Sequence, residues 1–206
     1  MTTVRLRYDD LWAEVDLDAD PTTWARELVR CRWLDEETPP DDDLAERAVT
    51  GLAAVVGALR SQEPPPLMGL LLLPRINEPL VTVVAVRCEP VDEPVTLAEV
   101  AEVLRLPAEM LEIPAEEDVV DTAAGPALRL LQRFRTPVDP DVEQVQENLA
   151  YAWSLDDVEI LDDEGDLACG PVVVTVSTSF EDLVDAGQWR ATVDDLARSL
   201  TVTTGA

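Results

Sequence analysis

Pro171-Val172-Val173-Val174-Thr175-Val176-Ser177-Thr178-Ser179-Phe180 carries the strongest strand signal in the chain. β-Branched side chains lose rotamer freedom in a helix and pack well on a pleated surface. C-terminal to it, Trp189, Val193, Leu196, Ala197 and Leu200 recur at helical spacing, which predicts an amphipathic helix over 187–200. N-terminal to it, Val145, Leu149, Tyr151 and Trp153 all fall at odd positions, so 145–155 reads as another strand. Val119-Val120 and Ala127 to Phe134 form a further strand pair turning at Ala124-Gly125-Pro126. Strands joined this closely are antiparallel.

Working further back, Thr96 and Glu99 form a capping box, opening a short helix with Val100, Val103 and Leu104 inward. Leu67 to Leu73 and Leu80 to Cys88 read as a hairpin of buried strands, preceded by the stiff Pro64-Pro65-Pro66 connector. Asp43 and Glu46 cap a helix over 41–61, with a stripe of Leu44, Ala48, Val49, Leu52, Val55, Val56 and Leu59. Asp20-Pro21 is an N-cap followed by proline at the first helical position, and Trp24, Leu28 and Cys31 mark one face of that helix. Val4, Leu6 and Tyr8, then Leu11, Ala13, Val15 and Leu17, predict an N-terminal β-hairpin around Asp9-Asp10. The expected fold class is α+β: an antiparallel β-sheet flanked by helices, α/β/α layered, in a single domain over 1–206, with an N-terminal subregion at 1–63.

Composition excludes several chemistries. The chain has 206 residues, 43 Asp+Glu and 15 Lys+Arg, for a net charge of −28; every basic residue is arginine, and histidine is absent. Without His there is no Ser-His-Asp triad, no Cys-His pair and no imidazole acid/base. Without Lys there is neither a Schiff base nor a P-loop lysine. Replacement of lysine by arginine points to a GC-rich genome. Acidic charge is concentrated late: residues 138–206 hold 16 acids and 2 arginines, a net of −14. Such a field repels phosphate backbones and attracts basic surfaces, or serves solubility. No apolar run reaches the roughly 20 residues of a membrane-spanning helix, and no secretory signal is read at the N-terminus. Cys31, Cys88 and Cys169 are widely spaced, which predicts three reduced core thiols in the cytosol.

Each candidate site has a structural reading beside it. Asp156-Asp157 with Asp162-Asp163-Glu164-Gly165-Asp166 could hold a hard cation, but the EF-hand spacing fails, and a solvated hairpin loop is favoured. Asp41-Asp42-Asp43 suits a helix N-terminus. Glu116-Glu117-Asp118 and Asp139-Pro140-Asp141 read as solvated turns. Arg129, Arg133 and Arg135 share parity, so they line one strand face; they could clamp a carboxylate or phosphate, but pairing with nearby acids on the solvent face is favoured. Ser177-Thr178-Ser179 has no base to activate it. Trp12 and Trp33 fall out of phase with their neighbours, which makes them candidates for an exposed interaction surface or for a second, smaller core.

In its element order, the chain over roughly residues 67–202 resembles small actinobacterial proteins of unknown function related to the Mog1/PsbP-like fold. The residues that carry the resemblance are Gly125-Pro126-Ala127-Leu128-Arg129, Tyr151-Ala152-Trp153, Ser177-Thr178-Ser179 and the closing helix from Trp189 to Leu200. It implies a sheet flanked by helices and a binding or accessory role, and it transfers no functional residue.

The sequence is therefore read as a soluble, cytoplasmic, non-enzymatic interaction protein: an adaptor, chaperone or immunity-type partner of a basic protein. It is expected to use no cofactor or metal and to bind neither nucleic acid nor membrane, with Trp12, Trp33, Arg129, Arg133 and Arg135 as partner-binding candidates. The rival readings are an acidic nucleic-acid mimic that blocks a DNA-binding protein and, behind it, a carboxylate- or metal-dependent enzyme.

Overall fold

The structure, a computed structural model, describes residues 2–34, 42–74, 80–139, 142–161 and 167–204. Nine strands and four α-helices are assigned among them, and the pairings β1–β9, β2–β3, β3–β4, β5–β6, β6–β7 and β7–β8 are antiparallel. The fold is α+β, as the sequence predicts. The chain groups into two compact units, Tyr8–Val86 and Met1–Arg7 with Arg87–Ala206. The first overlaps the subregion expected at 1–63 and shares neither of its boundaries.

Strand β1 (Thr2–Arg5) belongs to the second unit and β2 (Trp12–Val15) to the first. The expected N-terminal hairpin therefore does not form. A turn does occur between them, where the Trp12 N–H donates to the Asp9 carbonyl at 3.1 Å. Alternation marks each segment as a strand but carries no information on its partner.

In the first unit, helix α1 (Pro21–Leu34) starts where Asp20 accepts the Thr23 N–H and hydroxyl, both at 2.9 Å. The Thr23 backbone hydrogen bond is the main reason the Asp20 carboxyl is held below its ordinary range. Helix α2 (Asp42–Arg60) has Asp42 and Asp43 in its first turn and Arg60 in its last, matching the macrodipole. Its buried residues Val49, Leu52, Val56 and Leu59 form a single stripe. Strands β3 (Met68–Leu72) and β4 (Thr82–Pro90) make the expected hairpin, and β2 lies on the other side of β3, with Trp12 opposite Leu72 and Val15 opposite Gly69. A side chain at Gly69 would come within 2.9 Å of Leu59, so glycine lets α2 pack directly on the strand. The core here joins Val15, Ala25, Val29, Trp33, Leu52, Val56, Leu59 and Leu71.

The chain crosses into the second unit within β4. Helix α3 (Leu97–Leu104) opens on the expected capping box: Thr96 accepts the Glu99 N–H, and Glu99 accepts the Thr96 N–H at 2.7 Å. After the 3-10 turn Ala108–Met110 come β5 (Glu116–Thr122), β6 (Gly125–Asp139), β7 (Val142–Leu161), β8 (Leu167–Phe180), helix α4 (Ala186–Arg198) and β9 (Thr201–Thr204). The strand order is β8-β7-β6-β5, and β1 pairs separately with β9. Gly125, at φ 110°, closes the β5–β6 hairpin in a conformation that suits glycine. Even-numbered residues of β6 and β7 (Leu128, Leu130, Ala152) meet Val100 and Ala101 of α3. Odd-numbered ones meet α4. The sheet thus lies between two helices.

Several expectations are corrected. Glu116-Glu117-Asp118 is strand rather than turn, because its register with β6 is unbroken. Val103 faces solvent, since α3 is short and meets the sheet mainly through Val100 and Ala101. Cys31 and Cys169 are exposed and Cys88 half-buried, so the thiols are not core residues; all three are free. Cys31 faces out because α1 buries Ala25, Val29 and Trp33, a stripe one residue out of phase with Trp24, Leu28 and Cys31. The acidic segment 162–166, residues 35–40, Asp41, residues 75–79 and Pro140-Asp141 lie outside the described residues.

Candidate functional site

Arg129, Arg133 and Arg135 do share one face of β6, as their parity predicts. At Arg129 and Arg133 this face lies beneath α4 rather than in solvent, whereas Arg135 is exposed, and all three guanidiniums pair with the protein's own acids, as the favoured reading expects. Arg129 sends Nε and Nη2 to the two carboxylate oxygens of Asp194 on α4, at 3.0 and 3.2 Å. This is the planar two-point geometry that suits arginine. Tyr151 on β7 donates its hydroxyl to Asp194 Oδ1 at 2.7 Å. Burial first, then this hydrogen bond, pushes the Tyr151 hydroxyl well above the ordinary phenol range. The Arg129 guanidinium is desolvated, which works against its charge, yet its contact with Asp194 prevails and its pKa is raised.

Further along the same face, Arg133 Nη2 lies 3.0 Å from Glu147 Oε2, and Arg190 Nε of α4 lies 3.2 Å from Glu147 Oε1. Glu147 is 1% exposed. Arg133 Nε and Glu147 Oε1 are buried without a hydrogen bond of good geometry, so the contact at Oε1 is mainly electrostatic. Arg190 and Asp194 are one helical turn apart, which puts both over the sheet. Arg135, more exposed, pairs with Glu112 at 2.8 Å and Glu143 at 3.5 Å. Trp153 stacks on Tyr151 with ring centroids 6.0 Å apart and donates its indole N–H to Thr122 at 2.8 Å.

The buried array of Arg129, Asp194, Tyr151, Arg133, Glu147 and Arg190 is an internally paired network. Its guanidiniums hold the protein's own carboxylates, so it does not present the free carboxylate or phosphate clamp that was weighed for Arg129, Arg133 and Arg135. Sequence reasoning missed Glu147, Tyr151, Asp194 and Arg190. One signal was available: Glu147 has the same parity as Leu149, Tyr151 and Trp153, and an acid within an apolar strand face calls for a cationic partner.

Trp12 and Trp33 are buried, at 5% and 9% exposure, which overturns their reading as an exposed surface. Trp33 continues the Ala25/Val29 stripe, and Arg32 above it donates to the Trp12 carbonyl at 2.8 Å and to the Asp10 carbonyl. Trp12 and Ala13 are both buried although their side chains alternate, so β2 is covered on both faces at that point. Tyr8 donates to Glu14, and that hydrogen bond is the main cause of a phenol pKa pushed up to about 12.

Open clefts occur among the described residues. One, of about 740 Å³, is lined by Gln144, Val145, Glu181, Asp182, Leu183 and Val184. Another, of about 430 Å³, is lined by Glu14, Asp16, Asp18 and neighbouring apolar residues. Both carry acids and no base. Among the described residues, no group of three or more Cys, Asp or Glu is placed to hold a metal ion, and no helix is long and apolar enough to cross a membrane.

The second unit is thus an antiparallel sheet packed between helices, with Arg129, Arg133, Arg135 and Arg190 engaged in internal ion pairs. No protein-family model matches the sequence, and no match is found among curated proteins. Among solved structures the chain is similar to LpqN, described as involved in cell envelope biogenesis of Mycobacterium tuberculosis. The similarity is at 9% identity with a TM-score of 0.50, over 99% of this chain and 85% of that one. That likeness is one of fold.

Proposed function

We propose that this chain is a non-enzymatic interaction protein that binds a partner with a basic surface, in the manner of an adaptor, chaperone or immunity-type protein. One observation carries the reading. Arg105, Arg129, Arg133, Arg135, Arg190 and Arg198 all engage the protein's own carboxylates, and Arg32 and Arg60 donate to its own carbonyls. With 43 acids to 15 arginines, this leaves an outer surface whose charge is unmatched from within. A partner's basic surface would complement it, and long-range attraction would steer that partner in.

The Mog1/PsbP-like relation belongs to this proposal, as do an actinobacterial source and a cytosolic location. The exposed free thiols Cys31 and Cys169 support a reducing compartment. The test is affinity purification of a tagged copy from native cytosol at low and then high salt, with mass spectrometry. The expected result is a stoichiometric basic protein that leaves as salt rises. Recovery of no basic protein at low salt overturns the reading.

A further inference from the structure

The geometry points to the outer edge of β5 as a docking site for an extended, arginine- or lysine-rich segment of the partner, added antiparallel as one more strand. The inference rests on the proposed reading and specifies where and how binding occurs. Strand β5 is the last in its order, paired on one side with β6 only. The pairing runs without a bulge from Glu116↔Leu131 to Thr122↔Gly125. The hairpin closes on Thr122 and Gly125 across two residues, so the N–H and C=O groups of Thr122, Val120, Asp118 and Glu116 point at β6. Those of Glu117, Val119 and Asp121 point outward, and among the described residues they make no hydrogen bond. Val119 is 65% exposed, and Glu116, Glu117, Asp118 and Asp121 are exposed too. By contrast, the edge strand of the first unit, β2, is only four residues long.

An open edge invites either a second copy or a different chain. Charge decides between them. A second copy, antiparallel about Val119, would set Asp121 against Glu117 twice, and like charges directly opposite are destabilising. Glu117 has Arg105 beside it, but Glu116, Asp118 and Asp121 make no ion pair among the described residues. A basic strand reverses the sign at each of these positions, with an apolar residue left to face Val119. The acids that bar self-pairing thus select a basic occupant.

The probe is a blocked heptapeptide, Thr-Arg-Val-Val-Arg-Arg-Arg, which sets Arg against Asp121, Asp118, Glu117 and Glu116 and Val against Val120 and Val119. Binding is followed by fluorescence anisotropy, and amide exchange is read by NMR. The expected result is binding that slows exchange at Glu117, Val119 and Asp121. Val119→Pro removes an outward N–H at an edge-strand position where proline is tolerated. It should weaken the peptide about tenfold, the factor that accompanies one lost backbone hydrogen bond. Asp121→Arg, which leaves the backbone untouched, should also weaken it. Binding that is equal in wild type and both variants, without amide protection, overturns the edge while leaving a basic partner in place. Absence of peptide binding overturns the edge as well. The co-purification experiment judges the broader reading separately.

Discussion

Helices α1 and α2 of the first unit pack mainly through apolar side chains, with Arg32 and Arg60 adding hydrogen bonds to backbone carbonyls, and Thr82 is the one buried polar residue described in that unit. Helix α4 of the second unit buries Ala186, Val193, Leu196 and Ala197 and is also fastened through Asp194 and Arg190 to Arg129, Tyr151 and Glu147. Apolar contact is non-directional and grows with the area removed from water. It is also indifferent to salt screening and to proton balance. Ion pairs beneath a helix are directional. They add little net stability, because desolvation offsets the attraction, but they penalise a helix that slips by a single residue. The first unit therefore gains its stability from volume, and the second has its helix register specified by charge.

The comparison can be broken at its apolar end first. Leu59→Ala removes the side chain packed against Gly69, and it should cost about 3 kcal/mol in urea unfolding, with no dependence on salt. A loss that shrinks as salt screens charge would contradict the apolar account.

Next in size is Glu147→Ala, which leaves two guanidiniums facing each other. Arg133 and Arg190 retain 34% and 28% side-chain exposure and can turn partly to water. The cost should therefore be about 2 kcal/mol, below the roughly 3–5 of a fully buried pair. Glu147→Ala should also lower the hydrogen-exchange protection of α4 more than that of α2. Equal loss in both helices would remove the distinction between the units.

The smallest effect sharpens the comparison through pH. The folded state raises the Tyr151 phenol above its ordinary 10.0, by burial and the Asp194 hydrogen bond. The stability it contributes is complete below pH 10 and is lost as pH climbs from there toward the folded value. Tyr151→Phe should cost about 1 kcal/mol near neutrality and flatten this alkaline slope. Both tyrosines are raised, so ultraviolet titration should show tyrosinate later in folded than in urea-unfolded protein. Coincident titration curves would refute the assignment.

What was legible in the sequence was local. The Val172–Val176 strand, the Thr96/Glu99 box and the α2 stripe each depend on residues within a few positions of one another. What was not legible depended on a choice between equals. Strand β1 pairs with β9 across nearly the whole chain, and nothing in Val4 or Leu6 names Val202 as a partner. In α1 both Trp24/Leu28/Cys31 and Ala25/Val29/Trp33 are apolar at helical spacing. The larger residues drew the first reading, whereas close packing selected the second. The parity of Arg129, Arg133 and Arg135 placed them on one face correctly, but which face was covered depended on α4, more than fifty residues away.

The three thiols have a practical consequence. Cys31 lies exposed in the first unit and Cys169 exposed in the second. Half-buried Cys88 has its pKa raised by burial and then by Glu89, so less of it is thiolate and it reacts more slowly. A maleimide dye at limiting concentration therefore marks one position in each unit without any engineering. Donor and acceptor dyes at those two sulfurs give the native chain an energy-transfer signal without any substitution.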